Sequence, residues 1–319
     1  MKINSRRVSV VIPVYRSASM LPVLTQELER VLTTHSLEFE VILVNDASPD
    51  GSWEVIGRLS QEFSRVRGIS LMRNSGQHNA LLCGIRAARY EVVVTMDDDL
   101  QNPPDQIPLL LRKLDEGFDV VYGTPEKEQH GILRDLASLI TKIVLQNAMG
   151  TSIARNISAF RAFRTQVREA FRDYRGPFVS IDVLLTWGTT RFSALRVRHE
   201  PRREGVSGYT LKKLILHAVN MMTGFSVLPL QLASMIGFTF TVFGFLALAF
   251  VVLRYLIRGS AVAGFPFLAS IIAIFSGAQL FALGIIGEYL ARVHFRIMDR
   301  PPYTVRATTS AGSSGSEIL

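Results

Sequence analysis

Residues 92–99 read VVVTMDDD: four β-branched residues, a methionine, then three aspartates in succession. A Val/Thr run without polar alternation fits a strand covered on both faces, and the abrupt change to carboxylates marks where it leaves the core. The same pattern recurs upstream. Residues 8–14 (VSVVIPV) end at Tyr15-Arg16-Ser17, residues 39–45 (FEVILVN) at Asp46-Ala47-Ser48-Pro49-Asp50-Gly51, and residues 68–72 (GISLM) at Arg73-Asn74-Ser75-Gly76. Residues 120–122 read as a further strand. Between these runs, residues 20–32, 52–63, 77–88 and 105–116 read as helices. The alternation predicts an α/β domain with right-handed crossovers: a Rossmann-like, mostly parallel sheet with helices on both faces.

In such a sheet the ligand lies beyond the carboxyl ends of the strands, and all four polar turns fall on that rim. No G-x-G-x-x-G follows the first strand and no G-K-[ST] occurs, so a dinucleotide fingerprint and a P-loop are excluded. In extended backbone Asp97 and Asp99 point the same way. Such a pair suits Mg²⁺ or Mn²⁺, which needs only one or two carboxylates when substrate phosphates and water complete its octahedron. The alternative is a solvated acidic turn. Asp46 is placed to accept from a nucleobase N–H or a ribose hydroxyl, or else to cap the helix starting near Ser52; Asp50 suits the cap better. His78 reads equally as a first-turn helix residue or a ligand contact, and Cys83 as a packing residue.

The composition points to a second part of the chain. Hydrophobic residues make up 48% and charged ones 19%, with a mean hydropathy of +0.24, which excludes a purely soluble protein. Residues 228–253 and 265–287 carry no charge, and each is long enough to cross a bilayer core of ~30 Å. A few residues around Arg258 and Gly259 join them, so they form a two-helix transmembrane hairpin with both chain ends on one side. Arg202, Arg203, Lys212 and Lys213 precede it and Arg292, Arg296, Arg300 and Arg306 follow it, against Arg254 and Arg258 at the turn. This predicts cytoplasmic termini. Residues 1–210 then form the catalytic domain, 211–227 an amphipathic juxtamembrane helix at anionic lipid headgroups, 228–292 the spans, and 293–319 a tail. Residues 307–316 (ATTSAGSSGS) read as disordered.

Lys and Arg total 35 against 27 Asp and Glu, a formal charge of +8. Without a basic-aromatic stripe this excess suits lipid and substrate phosphates rather than nucleic acid. The single cysteine excludes a disulfide framework and a Cys-rich zinc site, and the six histidines form no ligand pair.

On these residues the chain resembles the family 2 glycosyltransferases that load sugars onto polyprenyl phosphate. The matching segments begin with Val10-Val11-Ile12-Pro13-Val14-Tyr15, Val44-Asn45-Asp46-Ala47-Ser48 and Arg73-Asn74-Ser75-Gly76-Gln77-His78. Asp97-Asp98-Asp99-Leu100-Gln101-Asn102-Pro103-Pro104 and the stretch from His199 to Tyr209 continue the match. Gly287-Glu288-Tyr289-Leu290-Ala291-Arg292 and Arg300-Pro301-Pro302-Tyr303 complete it. The resemblance implies a GT-A fold, a nucleotide-sugar donor, a polyprenyl (undecaprenyl or decaprenyl) phosphate acceptor, Mg²⁺ or Mn²⁺, inversion at the anomeric carbon, and an inner-membrane location. Relatives also form homotetramers. By motif match Pro13, Tyr15 and Asp46 line the nucleoside pocket and Asp98 sits near ribose or base. Asp97 and Asp99 face the metal and diphosphate, and Arg202 and Ser207 meet the lipid phosphate. Lys127 and Arg134 are further candidates for a phosphate.

Three positions depart from the family pattern. Arg16-Ser17 replaces Asn-Glu, Gly208 replaces a Lys, and Ala159 stands where relatives carry an Asp assigned as catalytic base. Asp182 is the candidate replacement. A base is dispensable, because a phosphate monoester with a second pKa of ~6 is already largely dianionic at neutral pH. Two other readings remain: a catalytically inactive nucleotide-sugar-binding protein, and a processive polysaccharide synthase. Against the latter, neither Trp53 nor Trp187 lies in a Gln-x-x-Arg-Trp motif.

Overall fold

The computed structural model describes residues 7–35, 37–125, 156–176, 179–200, 228–258, 265–309 and 317–318. Two compact units emerge, residues 1–214 with 299–319, and residues 215–298.

In the first unit the described strands are β1 (Arg7–Val14), β2 (Glu38–Asn45), β3 (Val66–Leu71), β4 (Val92–Thr95), β5 (Val120–Pro125), β6 (Arg161–Arg164), β7 (Phe192–Val197), β8 (Val305–Thr308) and β9 (Glu317–Ile318). They form one sheet in the order β7-β5-β6-β4-β1-β2-β3-β8-β9. Only β6 and β8 run against the rest, so the sheet is mixed and mostly parallel, as expected. The chain builds outward from β1 through β2 to β3, then crosses to β4 on the other side of β1. The switch point, where a crevice opens at the strand ends, therefore lies between β1 and β4.

Four helices stand at the expected positions, and a fifth, over Ile181–Gly188, was not expected. These are α1 (Leu21–Thr34), α2 (Ser52–Glu62), α3 (Gln77–Ala87), α4 (Ile107–Asp115) and α5 (Ile181–Gly188). The helix expected over residues 105–116 begins as a 3₁₀ turn, Pro104–Gln106, and α4 starts with Pro108 in its first turn, where a missing N–H costs nothing. Leu21, Leu24, Leu28, Val31 and Leu32 place one face of α1 in the core. They join Val8, Val10, Ile12 and Val14 of β1 and Phe39, Val41 and Leu43 of β2. Each fully buried aliphatic side chain contributes ~1.5–3 kcal/mol. On the other face α3 lies against β1 and β2 through Gly84. A Cβ there would stand 2.3 Å from Val11 Cγ1 and 3.0 Å from Val44 Cγ2, so only glycine allows the approach.

The tail corrects an expectation. Residues 307–309 are ordered: β8 pairs antiparallel with β3, and Thr309 Oγ1 accepts the Gly68 N–H at 2.7 Å. Low-complexity composition does not prevent pairing here, because an open β3 edge supplies the partner backbone. Residues 310–316 lie outside the described residues.

In the second unit α6 (Leu228–Arg258) and α7 (Phe265–Ile297) are long and apolar enough to cross a membrane, over Pro229–Arg254 and Ile274–Ile297 respectively. Their large side chains face outward: Phe238 is 72% exposed and Leu256 73%. That is the opposite of a soluble core helix and what a lipid-facing helix requires. Phe240 and Phe275 meet edge to face between the two helices. The amphipathic segment 211–227 and the turn 259–264 lie outside the described residues.

Candidate active site

The turn after β1 and the aspartates after β4 are joined across the switch point. Asp98 Oδ2 accepts the Tyr15 N–H at 3.2 Å and the Ser17 hydroxyl at 2.5 Å. Burial, with the Asp99 charge beside it, pushes the Asp98 carboxyl above the usual range, against the pull of those two bonds. Arg16 takes a φ of 60° in this turn, its N–H donates to Ser48 Oγ at 2.7 Å, and its guanidinium lies 5.5 Å from the centre of the Tyr15 ring. Tyr15 itself is 43% exposed on the rim, whereas Pro13 is buried in β1 opposite Val44.

Asp46 is 3% exposed. Its two oxygens accept the N–H groups of Ser75 and Gly76, at 2.7 and 2.8 Å. These bonds clamp the turn between β3 and α3, and Asp46 is not the cap on α2. Burial pushes its carboxyl up, and the two N–H bonds offset part of the rise. Gly76 accommodates the turn with a φ of 93°. Asp50 does not cap α2 as expected, since the N-cap is Gly51 and no side chain caps it; Asp50 braces the turn ahead of it, Oδ1 accepting from the Ser52 N–H at 3.2 Å and Oδ2 from the Ala18 N–H at 3.2 Å.

Asp97, Asp98 and Asp99 are each half-buried at the end of β4. Gln77, the first residue of α3, donates from Nε2 to Asp97 Oδ1 at 2.6 Å, and Asp99 Oδ1 accepts the Gln101 N–H at 3.1 Å. Among the described residues no three His, Cys, Asp or Glu side chains converge on a metal position. Two carboxylates at an open rim nonetheless fit a hard divalent cation that takes its other ligands from a diphosphate and water.

Asp182, the candidate base, lies at the start of α5 and pairs with Arg161, which is 1% exposed. The Tyr122 hydroxyl donates to the same Asp182 oxygen at 3.1 Å. This corrects the expectation of an open base, since the carboxylate neutralises a buried guanidinium. Arg161 in turn donates to Thr95 Oγ1 at 3.0 Å, two residues before Asp97, so the pair props the end of β4. His78 sits in the first turn of α3, where its Nδ1 accepts the Ile181 N–H at 3.4 Å.

Residues 198–200 are fastened to the loop after Asp99. The Glu200 N–H donates to the Gln101 carbonyl at 2.8 Å, and Arg198 pairs with Asp105 at 2.8 Å. The chain thus reaches the aspartate loop two residues before Arg202. Arg202, Ser207, Lys127 and Arg134 themselves lie outside the described residues. Sequence reasoning missed Ser17, Gln77 and Arg161. Only Arg161 carried a signal, as a lone charge between Phe160 and Ala162-Phe163.

The sequence model of glycosyl transferase family 2 matches residues 9–172, the stretch that supplies every rim turn described above. The chain belongs to this family. It is 33% identical over 309 residues to the undecaprenyl-phosphate 4-deoxy-4-formamido-L-arabinose transferase of Yersinia enterocolitica, covering 96% of this chain and 94% of the relative. The enzyme of the same description from Pseudomonas aeruginosa is 34% identical over 311 residues, covering 95% and 92%. Among solved structures, the glucosyl-3-phosphoglycerate synthase of Mycobacterium tuberculosis, in complex with Mn²⁺, UDP and glucosyl-3-phosphoglycerate, superposes with a TM-score of 0.52. The match is 17% identical and covers 68% of this chain and 78% of that one. The sheet of this family 2 chain is therefore a GT-A sheet, followed by two candidate membrane helices.

Proposed function

We propose that this family 2 enzyme transfers a single sugar from a nucleotide-sugar donor to polyprenyl phosphate, inverting the anomeric carbon. The observation that carries the reading is the junction at the switch point: the Tyr15–Ser17 turn tied to Asp98, with Asp97 and Asp99 half-exposed beside it. The near full-length relatedness to transferases named for undecaprenyl phosphate supports the acceptor class.

In this reading Tyr15 presents its ring to the nucleobase, Asp98 fixes the turn beneath it, and Asp46 holds the β3–α3 turn at the pocket wall. Asp97 and Asp99 would hold a Mg²⁺ or Mn²⁺ ion, which would supply positive charge against the departing diphosphate. Arg202, Ser207 and Arg134 orient the acceptor phosphate; an arginine fork grips two of its oxygens at once. A phosphate oxygen then forms its bond to the anomeric carbon as the bond to the diphosphate breaks, and the nucleoside diphosphate departs with the electron pair. The acceptor needs no deprotonation, so the commitment of Asp182 to Arg161 is no obstacle. Rate comes from positioning and charge stabilisation. In the same reading the enzyme is a two-pass protein of the cytoplasmic membrane with both termini and the GT-A domain on the cytoplasmic side, which the two long apolar helices and their basic flanks support.

The test uses the full chain in nanodiscs with undecaprenyl phosphate, a divalent metal and a panel of nucleotide sugars, following the lipid by mass spectrometry. A monoglycosylated lipid is expected with one donor, at least 100-fold reduced in Asp99→Ala and abolished by EDTA. No product from any donor, with nucleotide binding intact and an active relative working in parallel, would make the chain a binding protein instead.

A further inference from the structure

At the C-terminal end of α3, away from the rim, a cavity of about 360 Å³ is lined by Arg86, Arg168, Arg172, Asp173 and Arg175. Two further carboxylates, Glu169 and Asp299, pair with these guanidiniums, so four cations meet three acids.

One of the four is accounted for within the fold. Arg168 donates from one nitrogen towards the carbonyls of Ile85, Arg86 and Ala88, at 3.0, 3.2 and 2.9 Å. It closes the last turn of α3, where a cation complements the helix dipole. Arg86 is only partly satisfied. One terminal nitrogen donates to the Tyr174 carbonyl at 2.6 Å and the other to the Tyr303 hydroxyl at 3.4 Å. Its Nε is buried with no hydrogen-bond partner among the described residues. Arg172 and Arg175 are 69% and 60% exposed, and their carboxylate partners, Glu169 at 3.4 Å and Asp299 at 2.7 Å, are equally open to exchange. Two loosely held guanidiniums beside a third that lines the same cavity are complementary to a tetrahedral anion.

We propose that this cavity is a phosphate-binding site, separate from the donor and acceptor sites on the rim. Its volume accommodates a phosphate with an attached ester group. Arg86 supplies the inner donor, and Arg172 and Arg175 close on the outer oxygens after exchanging their carboxylate partners. The ligand chemistry has two sources, an anionic phospholipid headgroup or a soluble phosphate compound. The two sources are told apart by the lipid and the soluble arms of one experiment.

The experiment compares the full chain with an Arg172→Gln/Arg175→Gln double variant, whose exposed side chains are dispensable for packing. In nanodiscs of mixed phosphatidylglycerol and phosphatidylcholine, native mass spectrometry counts the phosphatidylglycerol retained. In nanodiscs of phosphatidylcholine alone, inorganic phosphate and pyrophosphate are titrated and the melting temperature is followed. A five-fold or greater loss of retained phosphatidylglycerol in the variant identifies a headgroup site. A phosphate-induced rise in melting temperature, present in the wild type and absent in the variant, without that lipid difference, identifies a soluble ligand. Equal lipid retention together with no phosphate effect overturns the proposal.

Discussion

Asp46 and Asp98 act on the rim through the turns they hold, each set opposite donors from another loop. Replacing Asp46 by Asn leaves one carbonyl for the two N–H groups of Ser75 and Gly76 and turns an amide donor towards the other. A buried donor facing a donor costs ~1–3 kcal/mol. Asp46→Asn is expected to raise the donor KM at least ten-fold and lower the melting temperature by a few degrees; an unchanged KM would detach this turn from the donor site. Glu40 lies in β2 near its amino end, bonded by Arg67 at 2.8 Å, Ser9 at 2.6 Å and the Arg89 N–H at 2.8 Å. Burial pushes its carboxyl up, but these bonds and the Arg67 charge outweigh it and hold the pKa below the ordinary 4.5. A depressed carboxylate stabilises the fold at neutral pH and loses that contribution as pH falls below the ordinary value. Glu40→Gln should therefore be less stable than wild type at pH 7, with the gap narrowing by pH 4; a constant gap would mean the charge plays no part. The aspartate triplet was legible because its members are adjacent in sequence. The turn that Asp46 holds was not, since its partners stand 29 and 30 positions away in a turn whose geometry no local pattern encodes. Asp182 misled for the same reason, its cation lying in β6, 21 positions earlier.

The first five strands and the four helices between them announced themselves through runs of Val, Ile and Leu broken by polar turns. β8 did not. Four residues, Val305–Thr308, precede a polar tract and pair with a strand more than 230 positions earlier, so the deciding information is the open edge of β3. The seam is packed as well as bonded. A Cβ on Gly68 would stand 2.3 Å from Ile56 Cγ2 and 2.9 Å from Thr309 Oγ1, and Thr309 also lies 2.7 Å from the Ser60 hydroxyl. Gly68→Ala is expected to cost ~1–3 kcal/mol by overpacking. Thr309→Ala should cost about 1 kcal/mol through its lost bonds. Both are read as a lower melting temperature of the full chain and faster proteolysis of the tail. Unchanged proteolysis would show that β8 is held by other contacts.

At the scale of the molecule, two apolar helices interrupt a chain whose sheet resumes after them. Whether they cross a membrane can be tested with the native cysteine in place, because Cys83 is buried and burial pushes its thiol up to about 12, leaving it inert to maleimides. In intact cells Ser260→Cys is expected to react with an impermeant maleimide, and Arg306→Cys only after the cells are opened. Labelling of neither residue in intact cells would leave the helices lying on one side. The pairing of β8 with β3 also imposes an order on biosynthesis. Residues up to Val197 leave the ribosome first and can collapse, yet the outer edge of β3 keeps its backbone groups unmatched while more than a hundred further residues are translated. A nascent chain halted between the two apolar helices would carry a nearly finished domain with one adhesive edge, open to pairing with its neighbour on the same polysome.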